Sequence, residues 1–265
     1  MKASYFPGCT LRTKAKELDV WARKCAEFLG ITLEEPADWQ CCGGVFSTAT
    51  DEVASKLAAV RALRAARDAG QPLVTVCSAC HNVIKQTNHA MRTDAEFAAR
   101  VNNYMAEEVS YRGETEVLHY LELLRDKVGF DELAKKVVKP LTGRKIAPYY
   151  GCPLLRPAKT MQMDDPENPQ ILEDFLRALG ATPTYYAARN ECCGGYLSLE
   201  DKPAAAKQSR RVLESALANG AEQMVTACPL CRYNLIKNGG DTLPVVYLTE
   251  LLAEALGLKE EGVND

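Results

Sequence analysis

One arrangement of cysteines occurs twice in this chain of 265 residues. Each copy has a single cysteine, then an adjacent pair followed by two glycines, then a Cys-x-x-Cys motif. The first gap holds 31 residues in one copy and 39 in the other, and the second gap holds 34 in both. Such repetition identifies an internal duplication. The two sets are Cys9, Cys41, Cys42, Cys77 and Cys80, then Cys152, Cys192, Cys193, Cys228 and Cys231.

The segments around these cysteines repeat as well. YFPGCTLR at 5–12 matches YYGCPLLRP at 149–157, and LVTVCSAC at 73–80 matches MVTACPLC at 224–231. Because both the spacing and the neighbouring residues repeat, the two halves of the chain should share one local structure.

The duplication also predicts the domain organisation. VLHYLELL at 117–124 resembles VVYLTELL at 245–252, so each half ends in a similar way. We expect one domain over residues 1–143 and a second over residues 144–265. Residues 94–138 of the first domain carry an additional helical segment.

The fold class follows from the alternation of two patterns. Short apolar runs rich in β-prone residues precede Cys9, Cys77, Cys152 and Cys228, and such runs indicate buried strands. Helical patterns lie between these runs. The sequence therefore predicts an α/β fold, internally duplicated into two similar halves with mostly parallel sheets and cysteine clusters at the C-terminal ends of strands. Open sheets of this kind bind ligands at that edge.

The helical patterns have clear ends. Those at 14–29, 50–69 and 203–219 are each followed by a glycine, which favours termination of a helix. We also expect Cys80 and Cys231 to open the helices that follow the two Cys-x-x-Cys motifs. A helix N-terminus favours negative charge, and therefore a thiolate.

Composition excludes several classes of function. A formal net charge of −3 gives no basic surface for nucleic acid, and no apolar run approaches the ~20 residues of a membrane helix. MKASYFPGCT at the N-terminus lacks the apolar core of a signal peptide. These features predict a cytoplasmic protein, in which eleven cysteines indicate metal binding or redox chemistry because disulfides rarely persist there.

The number of cysteines favours one kind of metal centre. A structural zinc ion and an ordinary cubane [4Fe–4S] cluster each take four ligands, whereas each half offers five. Adjacent cysteines fit two irons of one cluster better than a single ion, and the paired glycines let the backbone come close. We therefore favour an iron–sulfur cluster in each half. A zinc site and a thioredoxin-like redox pair remain as alternatives.

The eleventh cysteine has a different role. Cys25 lies on the apolar face of a predicted helix and has no cysteine counterpart, since Phe175 occupies the matching place. A buried structural cysteine is the expected outcome.

Two histidines also lack matching counterparts. His81 and His119 have Arg232 and Tyr247 at the equivalent places of the second half. We therefore expect both histidines to pack or to form hydrogen bonds, and we do not assign them as metal ligands.

The doubled pattern Cys-x31–39-Cys-Cys-Gly-x33-Cys-x2-Cys resembles that of the CCG-domain proteins. From about residue 3 to residue 256 the chain is similar to the B subunit of heterodisulfide reductase (HdrB). The resemblance implies that each five-cysteine set ligates a noncubane [4Fe–4S] cluster, giving two such clusters. It also implies a disulfide-type substrate between the clusters. The implied partners are a small protein with cubane [4Fe–4S] clusters, like the C subunit of that enzyme (HdrC), and a flavoprotein like its flavin-bearing subunit (HdrA).

One departure leaves the substrate open. In the methanogen subunits a histidine often follows the first and the last cysteine of the second motif, and here Pro153 and Arg232 stand there. Basic residues near the motifs are candidates for anchoring an anionic substrate: Arg156, Arg232, Lys85 and Arg12. The alternative function is an electron-transferring CCG subunit without a disulfide substrate of its own, in a lactate- or glycolate-oxidising system or a succinate:quinone reductase.

Overall fold

Two parallel four-stranded sheets with matching strand order form the framework of the chain. The computed structural model describes residues 1–44, 53–106, 109–240 and 242–259. The strand order is β2-β1-β3-β4 in the first sheet and β6-β5-β7-β8 in the second, and every pairing is parallel. The predicted fold class is confirmed. Both sheets put the carboxyl ends of all their strands at one edge.

The first sheet belongs to the N-terminal half of the chain. Its strands are β1 (Lys2–Phe6), β2 (Thr32–Glu34), β3 (Leu73–Thr75) and β4 (Val117–His119). Tyr5 of β1 lies beside Val74 of β3, which lies beside Leu118 of β4. The helices of this half are α1 (Cys9–Thr13), α2 (Lys16–Phe28), α3 (Leu57–Asp68), α4 (Ser78–Thr93), α5 (Ala95–Met105), α6 (Tyr120–Glu122), which continues as a π-helix (Leu123–Val128), and α7 (Phe130–Lys135).

The second sheet repeats this plan. Its strands are β5 (Lys145–Tyr149), β6 (Thr182–Pro183), β7 (Gln223–Thr226) and β8 (Val245–Tyr247). Pro148 of β5 lies beside Val225 of β7, which lies beside Val246 of β8. The helices are α8 (Ala158–Met161), α9 (Ile171–Ala178), α10 (Lys202–Ala218), α11 (Pro229–Gly239) and α12 (Leu248–Ala255).

Local signals in the sequence fix most of these elements. The four apolar runs before cysteines are the central strands β1, β3, β5 and β7, as predicted. The helices α2, α3 and α10 end just before Gly30, Gly70 and Gly220, each of which has a positive φ that suits glycine. Residues 50–52 of the predicted second helix lie outside the described residues.

Two details of the prediction need correction. The helices after the Cys-x-x-Cys motifs begin at Ser78 and Pro229, so Cys80 and Cys231 lie within the first turn and do not open the helix. The segment 94–138 is not helical throughout, because β4 interrupts it and completes the first sheet. Helix α5 is the part without a counterpart in the second half, and the Asp94 side chain caps it by accepting a hydrogen bond from the Phe97 N–H.

In each half, the last helix packs against the first long helix of the other half. Helix α12 contacts α2, where the Thr249 hydroxyl donates to the Leu18 carbonyl over 3.1 Å. Helix α7 contacts α9, where the rings of Phe130 and Phe175 lie 6.5 Å apart. This reciprocal packing joins the two halves through one continuous set of buried apolar side chains.

Cys25 is buried in this interface, as predicted. Its thiol lies 3.9 Å from the Thr249 carbonyl oxygen, and burial raises the pKa of the thiol to about 12. The thiol is therefore a packing group that stays protonated at neutral pH.

Replacement of Cys25 tests this structural role. Cys25→Ala should leave the iron content of anaerobically purified protein unchanged while lowering stability by about 1 kcal/mol, which corresponds to a fall of about 2–4 °C in the melting temperature. Elemental analysis and a thermal scan measure the two effects. Loss of iron from the variant would contradict the assignment.

Candidate metal centre

The turns that leave the central strands bring the cysteines to one edge of each sheet. Strand β1 ends two residues before Gly8, which precedes Cys9, and β3 ends two residues before Cys77, which occupies the N-cap position of α4. The second half repeats both turns, and Cys228 occupies the N-cap position of α11. The remaining cysteines come from the first turns of α4 and α11 and from the two Cys-Cys-Gly-Gly loops.

All ten repeated cysteines form one uninterrupted series. Each thiol lies close enough to the next to shift its acidity, and within the first half Cys42 Sγ and Cys80 Sγ form a hydrogen bond of 3.3 Å. The series crosses between the halves where Cys77 meets Cys228. Its order is Cys9, Cys41, Cys42, Cys80, Cys77, Cys228, Cys231, Cys193, Cys192 and Cys152.

Burial changes along this series in a symmetric way. At its centre, Cys77 and Cys228 are 3% and 1% exposed. At its ends, Cys9 is exposed and Cys152 is partly exposed. The row of sulfurs therefore runs from one part of the surface through the core to another.

The thiols of each adjacent pair differ in acidity. The hydrogen bonds from Cys41 and Cys80 lower the pKa of Cys42 to about 3, while the hydrogen bond to Cys42 raises the pKa of Cys41. In the second half, hydrogen bonds from Cys152 and Cys193 lower the pKa of Cys192 to about 2. The neighbouring thiols thus favour the thiolate form at one cysteine of each adjacent pair, and the thiolate is the form that binds metal.

Two glycines bring the backbone close to the sulfurs. Gly8 has φ +81°, and a Cβ there would lie 2.8 Å from Cys80 Sγ. At the matching place Gly151 has φ +65°, and its Cβ would lie 3.2 Å from Cys231 Sγ. A side chain at either position would meet the sulfurs directly.

The donor set fits a multinuclear cluster. Five thiols per half lie side by side, and the two of each Cys-x-x-Cys motif lie at the N-terminus of α4 or α11, where free N–H groups and the helix dipole favour negatively charged sulfur. Within the described ranges, no three or more His, Cys, Asp or Glu side chains are arranged to hold a single metal ion. A cluster of several irons suits a row of sulfurs better than one tetrahedral ion does.

A carboxylate beside each cysteine set was not predicted from the sequence. Glu122 lies beside His81, with Oε2 3.4 Å from His81 Nε2, and it accepts a hydrogen bond from Lys85 over 2.9 Å. In the second half Glu250 lies 3.3 Å from Arg232 Nε. The signal for both is a glutamate three residues after the end of the last strand, which is the spacing of a capping box.

The four predicted anchoring residues all form ion pairs. Lys85 and Arg232 pair with the buried or largely buried carboxylates of Glu122 and Glu250. The other two lie nearer the surface. Their pairs are Arg12 with Glu35 at 2.6 Å and Arg156 with Glu167 at 3.0 Å.

The family assignment follows from the repeated set. The profile of the cysteine-rich domain named CCG matches residues 3–85 and 146–236, which contain all ten cysteines of the series. The chain belongs to the CCG cysteine-rich domain family. The expected resemblance is confirmed, and so is the duplication of the CCG domain within one chain.

Three named relatives match the CCG chain over almost its full length. The membrane anchor subunit of the 8-methylmenaquinol:fumarate reductase of Wolinella succinogenes is 33% identical over 98% of this chain and 95% of its own. The B subunit of the ferredoxin/F420H2-dependent CoB-CoM heterodisulfide reductase of Methanosarcina acetivorans is 29% identical over 99% and 92%. A protein of Archaeoglobus profundus that resembles the B subunit of heterodisulfide reductase is 27% identical over 99% and 93%.

One solved structure shares the fold. A hypothetical protein from Helicobacter pylori superposes with a TM-score of 0.77 at 12% identity. The match covers 98% of this chain and 50% of that protein, so this chain spans half of its length. Within the residues that the structure describes, none of the helices is both long and apolar enough to cross a membrane.

Substitution of Gly8 tests how closely the backbone must approach the sulfurs. Gly8→Ala should reduce the iron bound by the first cysteine set, because the new methyl group would lie against Cys80 Sγ. Gly30→Ala is the matched control, since Gly30 has a similar φ of +78° and no heavy atom within 4 Å of an added Cβ. Gly8, with φ +81° and ψ 162°, lies in a backbone region that is almost exclusive to glycine, so iron is compared per amount of folded protein, measured by circular dichroism. Equal iron contents in the two variants would refute the close-approach argument.

Proposed function

We propose that this CCG chain is the iron–sulfur subunit of an oxidoreductase complex, and that it reduces a disulfide-type substrate. The observation that supports this most directly is the row of ten thiols, in which two equivalent five-cysteine sets meet at Cys77 and Cys228. Each set would hold one noncubane [4Fe–4S] cluster. Reduction of a disulfide takes two electrons, which two one-electron centres supply together.

In the proposed function, the ten cysteines hold the clusters and the buried centre of their series excludes water. The ten cysteines would hold the two clusters, which supply one-electron transfer and, at iron, a Lewis-acidic contact for sulfur. The buried centre of the series excludes water around Cys77 and Cys228. In the net reaction the S–S bond breaks, two electrons and two protons are taken up, and two thiols leave.

Arg156 is the best placed of the four anchoring candidates. Both partners of its ion pair with Glu167 are exposed: 52% of the Arg156 side chain and 77% of the Glu167 side chain. Replacement of Glu167 by a substrate anion therefore costs little free energy. The backbone nearby is held in place, because the Asn82 amide donates to the carbonyls of Pro153 and Arg156. Lys85 and Arg232 stabilise more buried carboxylates, and we propose a supporting role for them.

The partners follow from the same proposal. Electrons would arrive through an HdrC-like protein carrying cubane [4Fe–4S] clusters, from an HdrA-like flavoprotein. The partly exposed ends of the cysteine series, at Cys9 and Cys152, are the places where such a donor comes closest to the bound clusters. We place the boundary between the two cluster domains at Gly143, between α7 and β5.

A second candidate function is favoured by a specific observation. The fumarate reductase membrane anchor is more similar to this chain, at 33% identity, than the two heterodisulfide reductase relatives at 29% and 27%. In this alternative the chain passes electrons between a dehydrogenase or reductase and a second carrier, and has no disulfide substrate. The series of sulfurs through the core serves this role equally well.

Metal analysis tests the cluster assignment. Protein purified without oxygen should contain about eight irons per chain with matching acid-labile sulfide. Cys193→Ser should lose iron from the second set and its spectroscopic signal, whereas Cys25→Ala should retain the full content. Zinc in place of iron would overturn the proposal.

Reoxidation of the reduced protein separates the two candidate functions. Protein reduced with a low-potential chemical reductant should be reoxidised by a disulfide from a panel of differently charged low-molecular-weight disulfides, releasing two thiols per disulfide consumed. Arg156→Ala should raise the concentration of an anionic disulfide needed for half-maximal reoxidation. Reoxidation by quinone analogues but by none of the disulfides would favour the electron-transferring alternative.

A further inference from the structure

In the first half, one carboxylate connects the segment of the single cysteine to the loop of the adjacent pair. Glu35, the residue after β2, accepts a hydrogen bond from the indole N–H of Trp39, which lies two residues before Cys41. The same carboxylate accepts a hydrogen bond over 2.6 Å from Arg12, which lies three residues after Cys9. Two separate parts of the chain are therefore held together beside the cysteines that they carry.

Helix α2 fixes this carboxylate to the core. Arg23 of α2 donates to Glu35 over 2.6 Å and to Asp19 over 3.0 Å. Asp19 also accepts from the hydroxyl of the buried Tyr5 over 2.8 Å, and the Arg23 guanidinium lies 4.7 Å from the centre of the Tyr5 ring. Because charge-assisted hydrogen bonds are short and directional, this network sets the position of the Glu35 carboxylate relative to the first sheet.

The second half has the corresponding ion pair with its charges exchanged. Glu173 of α9 occupies the place in the duplicated helix that Arg23 has in α2. Its carboxylate lies 3.3 Å from Arg189 Nε, so here the helix carries the acid and the loop before the adjacent pair carries the base. In the first half the helix carries the base, Arg23, and the loop carries the acid, Glu35.

Glu173 also connects the segment of a single cysteine to the loop of an adjacent pair. This buried carboxylate accepts from the hydroxyl of Tyr150, which lies two residues before Cys152. Its partner Arg189 lies three residues before Cys192, and the Arg189 carbonyl accepts from the Tyr150 N–H over 2.8 Å. Both halves thus make the same connection with different residues, which indicates that each cysteine set needs the connection itself.

The single cysteine and the adjacent pair come from separate parts of the chain, so their thiols must be brought together before a cluster binds. We propose that Glu35 and Glu173 are positioning residues, each holding the single cysteine and the adjacent pair of its set at the spacing that the cluster requires. This inference rests on the proposed iron–sulfur function. It gives Arg12 a part in this connection and not in anchoring a substrate.

Replacement of each carboxylate by its amide tests the proposal. Glu35→Gln should lower the iron content of anaerobically purified protein from about eight toward about four per chain, because the donors around it lose a charged acceptor. The loss should be confined to the electron paramagnetic resonance signal of the first cluster, whereas Glu173→Gln should weaken the signal of the second. Cys9→Ser and Cys152→Ser, which disable one set each, assign the two signals.

The neighbouring acidic residues provide matched controls. Glu34 accepts from Lys2 and from Gln71, over 2.6 Å in both cases, and Asp174 pairs with Arg177. None of these partners lies within three positions of a cysteine of either set. Glu34→Gln and Asp174→Asn should therefore retain the full iron content and both signals. Iron is compared per amount of folded protein, measured by circular dichroism.

The Trp39 side chain separates positioning from packing. Its ring lies 5.0 Å from the ring of Phe6, and its N–H donates to Glu35. Trp39→Phe keeps an aromatic ring and deletes the donor, so it should make the iron of the first set about 10-fold easier to remove with a chelator, with the second signal unchanged. Equal iron contents and signals in Glu35→Gln and Glu34→Gln, or a loss that follows the second set, would overturn the inference. Absence of iron from the unsubstituted protein would instead overturn the proposed function.

Discussion

The junction between Cys77 and Cys228 is the contact on which the rest of the site depends. Strands β3 and β7 end there, and the helices α4 and α11 begin there. The Ser78 hydroxyl donates to the Ala227 carbonyl over 2.8 Å, and the Tyr247 hydroxyl donates to the Val76 carbonyl. These bonds join the backbone of one half to the other directly beside the thiols. The two cysteine sets therefore form one continuous series only while the halves remain packed together.

Duplication supplies the symmetric framework, and a few side chains remove the symmetry. Both halves place a strand-capping glutamate beside the last cysteine of the set, but Glu122 faces His81 and Lys85, whereas Glu250 faces Arg232. Arginine keeps its charge at any physiological pH, while an imidazole is neutral or charged according to its surroundings. The halves consequently differ in charge and in hydrogen-bond donors at the residue that directly follows the last cysteine of each set, His81 or Arg232. If each set holds a cluster as proposed, such differences would give the two clusters different reduction potentials.

Sequence reasoning predicts the parts of this structure that local chemistry determines. Apolar runs predict the central strands, glycines with positive φ mark the ends of helices, and the repeated spacing identifies the cysteine sets. The edge strands β2 and β6 were missed because they have three and two residues, too few for a pattern to appear. The contact of Cys77 with Cys228 joins positions far apart in the chain, so no local pattern predicts it. The pairing of Lys85 and Arg232 with glutamates likewise depends on tertiary packing.

A buried row of sulfurs with exposed ends would allow one fold to serve either of the two proposed functions. The central sulfurs are enclosed by the strand ends and helix starts of both halves, so their surroundings depend on the fold itself. The ends of the series are more exposed, at Cys9 and Cys152, and Arg156 lies close in sequence to the second of these. Under the proposed function, a change of substrate would require new side chains at the exposed end near Cys152 and would leave the buried core of the series intact. Arg156 would then help to select the substrate, and the ten cysteines would hold the clusters that deliver two electrons.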